Sequence, residues 1–176
     1  AAKRKIRTMQ NYLEEAQREI AKNRGEVIDR LVRYSLTDML LFWGQEKDLI
    51  ERQTEAWGPI LKWAREELDA KFVTTQSLDV PEENRTSGYR LKQFMETLSD
   101  RELTAFYAAA LKMRSVLLAA ALVKGKINAE EAFRAAFLDE LWQAETWGAD
   151  EEAENRRQTI KNEICEIEKF LHSSDE

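Results

Sequence analysis

The sequence has few of the residues that interrupt or cross-link a fold. Among its 176 residues there are two prolines, six glycines, one cysteine and one histidine. So few helix-breaking residues favour long helices over a turn-rich β fold. The single cysteine, Cys165, excludes an internal disulfide and a zinc site built from cysteines, and it suits a reducing compartment. A chain of this length is expected to form a core that is stable without such cross-links.

Positive charge is also scarce. Lysine and arginine together number 27 against 33 aspartate and glutamate residues, which gives a formal net charge of -6. A field of this sign repels nucleic acid and the anionic surface of a membrane. We therefore expect a protein partner, with no nucleic acid bound.

The sequence also lacks an uninterrupted apolar run long enough to span a membrane. Its longest apolar stretch, Leu103 to Val123, includes Lys112 and Arg114, and each charge at the middle of a bilayer costs about 2.5 to 3.5 kcal/mol. The stretch is apolar on nearly every face, which is typical of a helix surrounded by other helices. Ser99 and Glu102 precede it in the pattern of a capping box, which starts a helix. The sequence therefore predicts no membrane insertion and one long central buried helix.

Apolar residues spaced three or four apart indicate helices along the rest of the chain. These predicted helices cover residues 6–25, 26–41, 47–68, 84–98, 128–147 and 149–171. Pro59 lies inside the third of them and predicts a kink or a restart, with Trp57 and Trp63 in the core. Residues 72–75 are rich in β-branched side chains but too few for a sheet, so we expect an extended loop there. The predicted fold class is all-α, a compact helical bundle.

No group of residues suited to catalysis is recognisable in the sequence. It has no glycine-rich phosphate loop, and its one histidine, His172, lies close to the end of the chain. Asp139, Glu140 and Glu145 could share one helix, but a metal site in a bundle also needs carboxylate or histidine ligands from facing helices. We therefore predict that the chain is not an enzyme and that it binds no cofactor and no metal.

An acidic stretch near the end of the chain is the most unusual feature of the charge pattern. Residues 135–155 contain seven acidic residues, no lysine or arginine, and two tryptophans. One interpretation is that the acids are solvated and complement the positive end of the last helix. The other is an acidic surface with an exposed tryptophan, which docks a basic and apolar partner. The candidate partner-binding residues are Asp139, Glu140, Glu145, Trp147, Asp150 and Glu151.

A family resemblance is carried by the same stretch. Residues 138–148 read LDELWQAETWG and are followed closely by three acidic residues at 150–152. This combination resembles a signature of the chaperones that assemble the α subunit of F-type ATP synthase. Residues 117–122, 129–132, 52–64 and 74–75 are similar to other blocks of that family. The resemblance spans about residues 27–170 and rests on several motifs in the same order.

The resemblance implies an orthogonal helical bundle that acts as a chaperone without hydrolysing nucleotide. It also implies a location in the mitochondrial matrix or the bacterial cytoplasm, where the protein would hold the newly made α subunit before that subunit joins β. Within the family, the acidic residue after the leucine of the Leu-Asp/Glu-Glu motif is associated with function, and here it is Asp139. The alternative is a helical adaptor or regulatory bundle that binds another protein.

The domain organisation differs from the family pattern in one respect. Family members carry a β-rich domain before the helical bundle, and no such pattern is present in this sequence. We expect an N-terminal helical arm over residues 1–25 and a helical bundle domain over residues 26–176. The chain is then either a part of a two-domain protein or a shortened relative.

Overall fold

The protein folds as a bundle of helices. The computed structural model describes residues 8–173, and within this range it contains nine α-helices, one short 3-10 helix and no β-strand. The α-helices are α1 (Met9–Lys22), α2 (Arg24–Ser35), α3 (Lys47–Glu67), α4 (Asn84–Glu96), α5 (Asp100–Met113), α6 (Val116–Val123), α7 (Ala129–Ala136), α8 (Leu138–Trp147) and α9 (Glu151–His172). The 3-10 helix is Met39–Leu41. The predicted all-α fold class is confirmed.

The centre of the bundle is α6, in which all eight residues are buried. It packs against five other helices, α2, α3, α5, α7 and α9. The preceding helix α5 starts with the expected capping box of Ser99 and Glu102 and is buried along much of its length. The burial expected of residues 103–123 is therefore confirmed for most of the stretch, with Leu111 and Arg114 exposed.

This buried stretch is two helices instead of one. Arg114 takes a left-handed conformation with φ of 55°, and a left-handed residue commonly ends a helix. Ser115 Oγ accepts a hydrogen bond from Leu118 N at 3.0 Å, and the carboxylate of Asp38 accepts one from Leu117 N at 2.8 Å. The prediction of one long central helix is wrong, because these two side chains satisfy the amides that the break exposes.

Other helix boundaries also differ from the predicted ones. Gly25, expected to end the first helix, lies in the first turn of α2. That helix ends at Ser35 and not near residue 41. The predicted helix over residues 128–147 divides at Phe137 into α7 and α8. The apolar periodicity continues across each of these points, so it cannot locate them.

The helix α3 runs through Pro59 without restarting. Trp57, two residues earlier, is completely buried, and its Nε1 donates a hydrogen bond to Ala135 O at 2.9 Å. Ile60 is buried one residue after the proline, and Trp63 is half-buried against the core. Packing on both sides of the proline therefore holds the helix together where the proline removes one main-chain hydrogen bond.

The segment between α3 and α4 is an extended loop, as expected. Its one ladder-like contact is an isolated parallel bridge between Phe42 and Thr75. There, Thr75 N donates to Leu41 O at 2.7 Å and Trp43 N donates to Thr75 O at 2.9 Å. These bonds attach the loop to the segment that precedes α3.

The first and last helices lie side by side. Packing of α1 against α5 and α9 buries Leu13 and Ile20. Ile6, the first apolar residue of the predicted helix, lies outside the described residues. Among the helices of residues 8–173, none combines the length and the apolar character that crossing a bilayer requires.

Candidate protein-binding surface

The acidic stretch folds into α8 and the start of α9. The helix α8 packs against α3 and α7, and none of its ten residues is buried. It ends at Gly148, whose φ of 103° turns the chain towards α9. The six candidate residues therefore lie on α8 and at the start of α9.

Asp139 is half-buried in the contact with α3. Its Oδ1 accepts a hydrogen bond from Gln53 Nε2 at 3.0 Å, and Gln53 is itself completely buried. Burial raises the pKa of Asp139 above its usual value, while the Gln53 hydrogen bond and the positive charge of Arg114 act in the opposite direction. Asp139 is thus an oriented carboxylate and not a freely solvated one.

Glu140 is the centre of a cluster of three arginines. Its Oε1 lies 2.8 Å from Arg156 Nη2 and 3.3 Å from Arg157 Nη1, and its Oε2 lies 3.8 Å from Arg114 Nη2. The acidic stretch itself contains no basic residue, so this compensation comes from α9 and from the break after α5. Most of the charge of Glu140 is therefore neutralised within the molecule.

Glu145 attaches α8 to α3 through an ion pair. Its Oε2 lies 2.6 Å from Arg52 Nη1, and Arg52 also lies 3.8 Å from Asp48. Trp142 Nε1 donates a hydrogen bond to the same Asp48 at 2.9 Å. The hydrogen bond with Glu145 raises the pKa of Arg52. Exposed pairs of this kind contribute little to stability, so they orient α8 more than they stabilise it.

The remaining three candidates lie where α8 ends and α9 begins. Trp147 is 81% exposed. Asp150 caps α9 by accepting a hydrogen bond from Ala153 N at 3.2 Å, and Glu151 is exposed in the first turn. We call Trp147, Asp150, Glu151 and Glu152 the α8–α9 corner. It combines a large exposed aromatic ring with acidic side chains.

A groove lies beside α8, between it and helices α3 and α7. Its volume is about 630 Å³. Its apolar residues come from three separate segments and include Ala56, Ile60, Ile127, Leu138 and Leu141. Charged side chains of both signs, among them Arg52 and Glu145, line its edge. We call it the α3–α8 groove; sequence reasoning missed it because only the tertiary fold brings these segments together.

Metal-ligating side chains do not cluster in the described part of the chain. Within residues 8–173, no group of three or more histidine, cysteine, aspartate or glutamate side chains is arranged to hold a metal ion. Cys165 is half-buried on α9. What the surface offers is a groove and an exposed tryptophan, which suit the binding of another protein.

A family model and several curated proteins match this chain. The model described as ATP12 chaperone protein matches residues 4–65. One of the curated relatives is "Protein atp12, mitochondrial" from Schizosaccharomyces pombe, which is 23% identical over 144 residues. The match covers 77% of this chain and 50% of the relative. The chain thus spans about half the length of that protein.

Solved structures match over more of the chain. The crystal structure of Atp12 from Paracoccus denitrificans superposes with a TM-score of 0.84 at 29% sequence identity. That match covers 92% of this chain and 69% of the other. A point mutant of the same bacterial protein superposes with a TM-score of 0.87 at 27% identity, covering 92% of this chain and 70% of the other.

Proposed function

We propose that this chain is an assembly chaperone of F-type ATP synthase, in keeping with its similarity to the ATP12 chaperone family. In this proposal it binds the unassembled α subunit of the catalytic sector. Chaperones of this family are not a class of enzymes, so its function is binding and not turnover. One relative is named as mitochondrial and another comes from a bacterium. We accordingly propose the mitochondrial matrix or the bacterial cytoplasm as its location.

The observation that carries this proposal is the α8–α9 corner with the groove beside it. An unassembled subunit exposes the apolar surface destined for its neighbour, and such a surface aggregates until it is covered. Trp147 offers a large exposed ring, and tryptophan is enriched at the centres of protein interfaces. The apolar floor of the α3–α8 groove extends this contact area.

The six candidate residues have two roles in the proposed docking surface. We propose that Asp139, Trp147 and Glu151 contact the α subunit. Glu140 and Glu145 form ion pairs within the chain, and Asp150 caps α9. They therefore hold α8 and the start of α9 in position, and only their remaining charge acts on the partner.

The charge of Asp139 can be tested by two substitutions. We expect Asp139→Lys to weaken capture of the α subunit by about 2 kcal/mol, because repulsion replaces attraction at a partly desolvated contact. Asp139→Asn keeps an oxygen that accepts the hydrogen bond of Gln53 Nε2, so it removes the charge with less disturbance of α3. Capture of purified α subunit at two salt concentrations measures both effects. Thermal unfolding of each variant is measured beside it.

The matched control for these variants is Glu96→Lys, which reverses an exposed charge at the end of α4. It should leave capture unchanged. Normal folding with undiminished capture in both Asp139 variants would place Asp139 outside the binding surface. If Asp139→Lys alone unfolds, its role is structural, and the Asp139→Asn result decides whether its charge also acts in binding.

Trp147 gives a second test of the same surface. Trp147→Ala should leave the unfolding temperature unchanged, because the ring is 81% exposed. It should reduce affinity for the α subunit by about tenfold or more, the usual cost of removing an anchoring tryptophan. Full affinity in this variant would exclude the corner from the interface. A different stable partner, captured without the α subunit, would identify the chain as an adaptor.

A further inference from the structure

We propose that the groove between α3 and the loop before α4 is a second docking site, which binds an acidic and partly apolar segment of another protein. We call it the basic groove. Its cations are Lys62, Arg65 and Lys71, and its apolar floor includes Trp43, Leu61 and Phe72. This inference does not rest on the identity of the partner proposed above.

The charge of the basic groove is the first reason for this assignment. Three of its lining residues are cations and none is acidic, although the whole chain has a net charge of -6. Lys62 has a long contact of 4.0 Å with Glu66. Within residues 8–173, no carboxylate forms an ion pair with the side chain of Arg65 or Lys71. A concentration of one sign of charge attracts a segment of the opposite sign.

The floor of the basic groove provides apolar contacts. Trp43, Leu61 and Phe72 each pack against the core on one side and remain partly exposed. Gly58 adds no side chain to the groove, and a Cβ built there would meet no atom within 4 Å beyond its chain neighbours and its own helix backbone. A partner segment can therefore approach the backbone of α3 closely at this point.

Exposed aliphatic side chains extend from the groove along the loop. Leu78 is 96% exposed, and Val73 and Val80 are each 41% exposed. Seven large hydrophobic side chains are exposed in the described part of the chain, and three of them lie between residues 73 and 80. A cluster of exposed apolar side chains of this kind usually marks an interaction surface.

The base of this loop is held in place by several hydrogen bonds. The buried Asn84 side chain accepts from Val73 N at 2.7 Å and donates to Val73 O at 3.0 Å. Ser87 Oγ donates to Lys71 O, and Gln76 Nε2 donates to Gly44 O at 2.9 Å. Binding to a surface that is already ordered loses less conformational entropy. The ordered groove therefore lowers the entropic cost of binding a partner.

The basic groove is distinct from the surface around α8. Helix α3 presents Ala56 and Ile60 to the α3–α8 groove. It presents Leu61, Lys62 and Arg65, which are spaced as one helical face, to the basic groove. One helix therefore separates a groove lined by charges of both signs from a groove lined only by cations. The two grooves therefore differ in the charge of the partner segment that each one favours.

The test uses a labelled peptide that alternates glutamate with leucine, compared with its glutamine counterpart. Fluorescence anisotropy should show tighter binding of the glutamate peptide to the wild-type chain. The double variant Lys62→Glu/Arg65→Glu should weaken this binding by about tenfold or more. Its matched control, Arg18→Glu/Arg85→Glu, reverses two exposed helical cations outside the groove and should change affinity by less than about twofold.

A second pair of variants tests the apolar part. Leu78→Ser should weaken peptide binding, whereas Tyr89→Ser, which removes a ring that is 59% exposed on α4, should not. Amide chemical-shift changes at Gly58 and Thr74 should accompany binding. Equal binding of the two peptides, or equal loss in the test and control variants, would overturn the proposal. Self-association of the wild-type chain that the double variant abolishes would also overturn it, because the occupant would then be a second copy.

Discussion

Asp38 is a carboxyl group that the fold encloses completely. Its two oxygens accept hydrogen bonds from Leu40 N at 2.9 Å and Leu117 N at 2.8 Å. Burial nevertheless raises its pKa from 3.8 to about 6, since the loss of hydration outweighs these bonds and those from Ser115 and Val116. Asp38, which lies between α2 and α3, thus helps to start α6. Its contribution to folding stability depends on whether it is protonated.

We expect the contribution of Asp38 to folding stability to decrease as the pH rises. Its pKa is higher in the folded chain, so the folded state binds the proton more tightly than the unfolded state does. The resulting stabilisation is complete below pH 3.8 and is lost as the pH rises to about 6. A shift of this size corresponds to a free energy on the order of 3 kcal/mol.

The variant Asp38→Asn isolates this effect, because an amide does not titrate. The stability advantage of the wild-type chain over this variant should shrink between about pH 3.5 and about pH 7. Urea unfolding of both proteins across this range measures it. An advantage that grows with pH would mean that the hydrogen bonds outweigh the desolvation.

At the scale of a helix, the end of α6 depends on one glycine. Gly125 has a φ of 73°, and its neighbour Lys126 N donates to Ala121 O at 2.8 Å. This closing turn directs the chain towards Asn128, which caps α7 with Glu131 in a capping box. The path from the most buried helix to the proposed docking surface therefore starts at a left-handed residue.

Two glycine substitutions should have opposite effects on stability. Gly125→Ala should reduce the free energy of unfolding by about 1 kcal/mol, because a Cβ disfavours a positive φ. Gly25→Ala should increase it by about 0.5 kcal/mol, because Gly25 lies in α2 with open space around it and alanine favours a helix. Denaturant unfolding of both variants measures the contrast. An unchanged free energy of unfolding in Gly125→Ala would show that the turn can close in another way.

At the scale of the whole molecule, Arg101 connects the first, middle and last helices. Its guanidinium belongs to α5 and is almost completely buried. Nε donates to Phe170 O at 2.7 Å, and Nη2 lies 3.1 Å from Glu14 Oε1. The guanidinium also stacks on the Phe170 ring, with 3.8 Å from its central carbon to the ring centroid. These contacts join residues that are far apart in the sequence, and they hold the first and last helices to the rest of the bundle.

Replacing this guanidinium by an ammonium should destabilise the whole bundle. We expect Arg101→Lys to lower the free energy of unfolding by about 2 kcal/mol, because one ammonium cannot reproduce the planar set of donors and the stacking. Arg134→Lys is the matched control, since Arg134 is exposed and, within residues 8–173, its ion pair is with Glu130 on its own helix. The control should change stability by less than about 0.5 kcal/mol. Equal losses in the two variants would contradict this role of Arg101.

The candidate docking surface was predicted only in part. The acidic stretch and Trp147 could be found from local composition, because a run of charge is visible in any sequence. The arginines that neutralise Glu140 could not, since Arg114 and Arg157 approach it only when α5 and α9 pack together. Neither groove could be found either, because each is lined by segments that are far apart in the chain.

The sequence by itself determined the all-α class, the position of most helices and the burial of the stretch around α6, because periodic apolar residues and local caps act between neighbours. The tertiary structure alone decided where that stretch breaks, since the break depends on Asp38, which lies 79 residues from Leu117. It also decided which charges are neutralised within the molecule and which remain for a partner. Long-range contacts decide these features because hydrogen bonds and ion pairs require groups that only folding brings together.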